Sequence, residues 1–125
     1  MKKILVVDDD EDIRNLIVSL LRMKGYDSSG LGDLNAYQLN DLPDLIVLDY
    51  LLSGKNGMDI CKALRQKKET RYIPVIMISA LADAKEKCLA AGADEFLSKP
   101  FNVKDLVACV KKVLAEHDIR QVRSD

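Results

Sequence analysis

Four places in this 125-residue sequence carry side chains whose types and spacing could do chemistry: Asp8-Asp9-Asp10, Asp49, Ser79, and Lys99 followed by Pro100. Three carboxylates, Asp8, Asp9 and Asp49, would repel one another if gathered within a few ångströms, which raises carboxylate pKa values and costs stability. A hard divalent cation removes that cost, and an all-oxygen ligand set suits Mg2+, or Mn2+ in its place. With such an ion and the Lys99 ammonium, the site is close to neutral. Incoming phosphoryl oxygens would then meet the metal, the Lys99 ammonium and the Ser79 hydroxyl, the partners that a phosphoryl-transfer transition state requires. Asp49 is left as a carboxylate nucleophile able to form an acyl phosphate.

Each of these residues follows an apolar run. Ile4-Leu5-Val6-Val7, Leu45-Ile46-Val47-Leu48 and Val75-Ile76-Met77-Ile78 lack polar alternation, the mark of strands covered on both faces in a parallel sheet. Phe96-Leu97 is a shorter run of the same kind, and the polar stretch Tyr26–Gly30 reads as an edge strand. Between the runs lie helical patterns. Ile13, Leu16, Ile17, Leu20 and Leu21 share one face, with Asp10 as N-cap, Glu11 and Asp12 in the first turn and Gly25 as a stop. Further helices are expected over Leu34–Leu42, closed by Pro43, over Met58–Lys68, and over Asp83–Ala91, ended by Gly92. A last one carries the stripe Val103, Leu106, Val107, Val110 and Leu114. Strand and helix alternate five times with short connections, which predicts right-handed crossovers and a doubly wound α/β domain with helices on both faces of a five-stranded parallel sheet. In such sheets ligands bind beyond the carboxyl ends of the strands, where all four chemical positions fall.

Composition limits the alternatives. A hydrophobic fraction of 48% and a charged fraction of 31% are those of a globular domain, and 125 residues suffice for one core. The net charge of −1 offers no basic excess for nucleic acid or an anionic membrane surface. No apolar stretch approaches the roughly 18 residues of a membrane span. Ile4–Val7 is too short for a secretory signal, so a cytoplasmic location is expected. Cys61, Cys88 and Cys109 are widely spaced, and the one histidine, His117, is remote from them. They lack the clustering of a zinc site and read as reduced core thiols of helices.

The segments Ile4-Leu-Val-Val-Asp-Asp-Asp10, Leu48-Asp49-Tyr-Leu-Leu-Ser-Gly-Lys-Asn-Gly57, Ile78-Ser79-Ala80 and Gly92-Ala-Asp-Glu-Phe-Leu-Ser-Lys-Pro-Phe101 resemble, in order and spacing, the motifs of response-regulator receiver domains. The resemblance covers nearly the whole chain and implies a receiver domain over residues 1–118, with 119–125 as a polar tail, the frayed end of the last helix. It implies the flavodoxin-like strand order 2-1-3-4-5, for which a member of this family is a standing example. It further implies that Asp49 is the phosphoacceptor, that Asp9 and Asp49 bind the metal directly, that Asp8 holds it through water, and that the Leu51 main-chain carbonyl is another ligand. Lys99 would pair with Asp49 and then with phosphate, and Ala80 would leave space for it. Ser79 and Phe96 would form the switch, and a cis peptide would precede Pro100. The implied partners are a sensor histidine kinase or histidine phosphotransfer protein as donor, and a downstream effector protein or output domain. A homodimer through the fourth helix, fifth strand and fifth helix is also implied, with no direct nucleic-acid or membrane contact. One departure stands out: the loop Leu52-Ser53-Gly54 lacks the proline usual in relatives.

Blander readings compete. Capping accounts for Asp10, but for at most one of Asp8 and Asp9, and does nothing for Asp49. Phe96 could be edge packing, and His117 reads as a solvated helix-end residue. A flavin binder of similar fold needs a phosphate-cradling Gly/Ser/Thr-rich turn where Asp8-Asp9-Asp10 would repel phosphate. An aspartyl phosphohydrolase wants a second acid two residues after the nucleophile, and Leu51 stands there. The remaining alternative is a phosphorylation-independent interaction module, a pseudo-receiver of the same fold.

Overall fold

The computed structural model describes residues 1–34, 41–52 and 54–124, with side chains through Arg120 in the last helix. Five strands, β1 (Lys3–Val7), β2 (Asp27–Leu31), β3 (Leu45–Asp49), β6 (Val75–Ser79) and β7 (Glu95–Ser98), form a sheet in the order β2-β1-β3-β6-β7. All four pairings are parallel. Counting only these five strands, the order is 2-1-3-4-5, as expected. The short strands β4 (Leu51–Leu52) and β5 (Lys55–Asn56) make a separate antiparallel hairpin.

The apolar runs are strands because every one of their residues has a core to enter. Side chains alternate across a strand, so Ile4 and Val6 of β1, Leu45 and Val47 of β3, and Ile76 and Ile78 of β6 enter one cluster. Helices α1 (Glu11–Met23) and α4 (Val103–Ser124) cover it with Ile17, Leu21, Leu106 and Val110. Leu5, Val7, Ile46, Leu48, Val75 and Met77 enter the other cluster, under α2 (Gly57–Gln66) and α3 (Ala84–Ala90). Fully burying one such side chain contributes about 1.5–3 kcal/mol. The central strand β3 is buried at all five positions, whereas only Ser28 of edge strand β2 is buried.

Local signals set the boundaries. The Asp10 carboxylate accepts hydrogen bonds from the N–H groups of Asp12 and Ile13 and caps α1. Gly25, at φ 94°, ends it, and Tyr26 N–H then closes on the Leu21 carbonyl. That closure moves β2 one residue beyond the expected Tyr26–Gly30, so that Asp27 faces Lys3. The helix expected over Leu34–Leu42 falls largely outside the described residues, although Leu34 itself is buried in the second cluster. The helix α4 continues over residues assigned above to the polar tail, held by Lys2 to Asp118 at 3.1 Å and Arg120 to Asp94 at 3.4 Å. Among the described residues no helix is long and apolar enough to cross a membrane.

All three cysteines are free thiols; Cys61 and Cys88 are buried and Cys109 partly so. Burial pushes the Cys88 and Cys109 thiols up to about 11 and raises that of Cys61. They stay protonated and serve as small apolar residues.

Candidate functional site

The carboxyl ends of β1, β3, β6 and β7 bring the expected residues to one rim. Register does most of this: Val7 pairs with Leu48, Asp49 with Ile78, and Ser79 with Ser98. Main-chain bonds prolong the alignment past the strand ends, from Tyr50 N–H to the Ile78 carbonyl at 2.9 Å and from Lys99 N–H to the Ser79 carbonyl at 2.9 Å. The Lys99–Pro100 peptide is cis.

The carboxylates of Asp8, Asp9 and Asp49 each offer an oxygen within 4.8 Å of the others. Asp8 and Asp49 are buried, and Asp9 is exposed. Lys99 reaches in from β7, its Nζ 3.2 Å from Asp49 Oδ2 and 3.6 Å from Asp8 Oδ2. Asp49 Oδ1 accepts from Leu51 N–H at 3.3 Å, and Asp8 Oδ1 accepts from Asp10 N–H at 3.0 Å. Asp8 Oδ2 is fully buried without a hydrogen-bond partner, the Lys99 contact being ionic but too long for a hydrogen bond. A buried carboxylate oxygen left in this state calls for a charged partner. Together with the three converging carboxylates it fits a hard divalent cation, which these residues could coordinate.

Electrostatics point the same way. Burial pushes the Asp49 carboxyl above its usual range, the Asp8 charge adds to the effect, and Lys99 opposes it. Asp49 therefore binds its proton more tightly folded than unfolded. Its charge costs stability increasingly as pH rises from the ordinary value of 3.8 through the raised one, and the full cost is present at neutral pH. Accordingly, metal-free Asp49→Asn should melt a few degrees above wild type at pH 7, the difference closing toward pH 4. Saturating Mg2+ should stabilise wild type by about 2.7 kcal/mol at a hundred times its dissociation constant and Asp49→Asn by much less. Identical melts for the two proteins at pH 7, both with and without Mg2+, would contradict this account of the cluster.

Ser79 is buried, and its Oγ accepts from Leu81 N–H at 3.0 Å, which holds the turn after β6. Phe96 is half-buried against the α2 and α3 side of the core. Leu51 and Leu81 are 55% and 43% exposed beside the acidic rim. The residues flanking position 53 are held without a proline: β4 pairs with β5, Gly54 turns at φ 74°, and Lys55 binds Asp33 at 2.8 Å. That contact holds the Asp33 carboxyl below its usual range.

Two residues gain roles that only the three-dimensional arrangement reveals. Gly57 opens α2 with its N–H on the Tyr50 carbonyl at 2.7 Å, and a Cβ there would strike the Asp49 carbonyl oxygen and stand 2.9 Å from Met77 Cε. Its place at the end of the Asp49 segment was the only sequence signal. Arg14 of α1 donates from Nη1 to the Asp8 main-chain carbonyl at 2.9 Å.

The comparisons with known proteins agree with this geometry. The family described as response regulator receiver domain matches residues 4–111. The phosphate regulon transcriptional regulatory protein PhoB of Rhizobium meliloti is 38% identical over 119 residues, covering 91% of this chain and 52% of that protein. The DNA-binding dual master transcriptional regulator RpaA of Synechocystis is 39% identical over 125 residues, covering 94% and 51%. The chain thus spans about half the length of these curated relatives. Among solved structures, the receiver domain of Francisella response regulator 1452 superposes with a TM-score of 0.81 at 28% identity, covering 93% of this chain and 98% of that one. The receiver domain of the Pseudomonas aeruginosa sensor histidine kinase PA1611, which holds a magnesium ion in its active-site cleft, gives 0.80 at 26% identity, covering 91% and 98%. The fold, the acidic cluster at its rim and these matches agree that the chain belongs to the response-regulator receiver domain family.

Proposed function

We propose that this receiver accepts a phosphoryl group on Asp49, in a Mg2+-dependent step, from a phosphohistidine of a sensor histidine kinase or histidine phosphotransfer protein. The observation that carries this reading is the convergence of the Asp8, Asp9 and Asp49 carboxylates beneath an ammonium 3.2 Å from Asp49. In the step itself an Asp49 carboxylate oxygen attacks phosphorus, the P–N bond to imidazole breaks, and the departing nitrogen takes a proton from solvent. Lys99 moves from the carboxylate to the transferred phosphoryl oxygens, and Ser79 offers its hydroxyl to another of them. Asp9, Asp49 and the Leu51 carbonyl would hold the cation directly, with Asp8 acting through water. When bound, the cation supplies charge neutralisation for the incoming phosphoryl group. Release of Ser79 from the Leu81 N–H, with inward rotation of Phe96, would carry the signal to the face made by α3, β7 and α4. The Glu95–Lys112 pair, 3.0 Å apart, lies on that face, where an effector or a second copy would bind.

The test is incubation with Mg2+ and a small acyl phosphate, read by intact mass. Wild type should gain one phosphoryl group, and Asp49→Asn or wild type in EDTA should gain none. Modification that ignores both controls would place the chemistry elsewhere, and no modification under any condition would favour the pseudo-receiver.

The phosphorylated state should also be long-lived. Hydrolysis needs a water aligned opposite Asp49, and the Leu51 and Leu81 side chains, both exposed at the rim, offer it no hydrogen bond and can shield a phosphoryl group sterically. Leu51→Asn and Leu81→Glu should each speed phosphate loss, by roughly tenfold for each 1.4 kcal/mol of regained transition-state stabilisation. Decay measured after donor removal that is no faster in either variant would free these leucines of that role.

A further inference from the structure

Asp8 lies one residue past the end of β1, so the sheet side serves only one of its two main-chain polar groups. Its N–H donates to the Leu31 carbonyl at 3.1 Å, while its carbonyl takes the Arg14 guanidinium at 2.9 Å. That carbonyl belongs to the peptide shared with Asp9, so its direction governs how Asp9 leaves the strand. The path of Arg14 from α1 runs over β2. A Cβ at Gly30 would stand 2.9 Å from Arg14 Cγ and 3.0 Å from Cδ, and one at Gly32 would stand 3.3 Å from Nη1. Neither glycine has positive φ, unlike Gly25, Gly54 and Gly92, so their backbone conformation does not demand glycine. At Gly30 space does, chiefly for the Arg14 stem and also for Val18 Cγ2, 3.3 Å from such a Cβ, whereas at Gly32 only the flexible tip of Arg14 would have to give.

We propose that Arg14, lying in the track left by Gly30 and Gly32, is a positioning residue that orients the Asp8–Asp9 peptide so that three carboxylates converge on one cation. The inference rests on the phosphoacceptor reading above and extends it to a residue outside the acidic group. Charge and positioning predict opposite signs here. As a bare positive charge near the cluster, Arg14 would repel a dication, and its removal would tighten binding. As the clamp on the Asp8 carbonyl, its removal weakens binding, on the order of tenfold for one charge-assisted hydrogen bond.

The experiment is calorimetric titration of Mg2+ into wild type, Arg14→Ala, Arg14→Lys, Gly30→Ala and the Arg14→Ala/Gly30→Ala double variant, with metal-free melts of each. Arg14→Ala should weaken Mg2+ binding about tenfold, with phosphorylation recovering the wild-type rate at saturating Mg2+. Arg14→Lys should restore part of the loss. Gly30→Ala should reproduce it by displacing the arginine, and the double variant should be no worse than Arg14→Ala alone. Unchanged or tighter Mg2+ binding by Arg14→Ala, whether or not its melting temperature falls, overturns the inference and leaves the phosphoacceptor reading intact. Additive losses in the double variant overturn the shared track. Absence of Mg2+ binding by wild type overturns both.

Discussion

Lys99→Ala is expected to slow phosphoryl acceptance by roughly 10²–10³-fold, the usual effect of removing one preorganised donor from a site of developing negative charge. Lys99 is held at the acidic rim by its own N–H on the Ser79 carbonyl, and its ammonium lies against both buried carboxylates. The same geometry makes it a resident cation that competes with a metal for Asp8 and Asp49. Losing it should therefore leave Mg2+ binding unweakened, or make it tighter, while the rate collapses. That split separates a group acting on the transferred phosphoryl from one that merely neutralises the cluster. Rapid-mixing phosphorylation at saturating Mg2+, paired with a metal titration, provides the check. A rate restored in full by more Mg2+ would reduce Lys99 to a charge balancer. The Asp49 carboxyl, already raised by burial and by Asp8, loses its opposing influence in this variant, so the metal-free protein should also be less stable at neutral pH.

Gly57→Ala should be the most damaging single-methyl change near the site. The added Cβ meets the Asp49 carbonyl oxygen, a backbone atom that β3 holds in the centre of the sheet, and Met77 Cε behind it. Met77 can yield by changing rotamer, but the carbonyl cannot yield without moving Asp49. Overpacking of this kind costs about 1–3 kcal/mol, which corresponds to a fall in melting temperature of roughly 4 °C per kcal/mol for a chain of this size. Phosphorylation should fall with it, because the displaced backbone carries Asp49 and the Leu51 carbonyl. A variant that melts and phosphorylates like wild type would mean that the start of α2 can shift away at no cost.

Much of this architecture could be read from the chain alone. The apolar runs at 4–7, 45–48 and 75–78 could only be strands buried on both faces, because no amphipathic alternation interrupts them and each meets helical cover on both sides. Once they were strands in a parallel sheet, their carboxyl ends had to share a rim, so Asp8, Asp49, Ser79 and Lys99 converge as a consequence of topology. Asp10 as a cap and Gly25 as a stop were legible for the same reason, since both act within a few residues of themselves. What local pattern could not contain was contact between distant segments. The polar edge strand β2 carries no apolar stripe to set its register, so the closure of Tyr26 onto Leu21 decided its start. The two-residue strands β4 and β5 were too short and mixed for a period to show, and the Lys55–Asp33 tie depends on where Asp33, far earlier in the chain, lies. Gly57 beneath the Asp49 carbonyl, and Arg14 over Gly30 toward Asp8, are matters of space between elements. Such clearances arise only when the helices settle on the sheet, which is why the tertiary structure alone decided how the acidic residues are held.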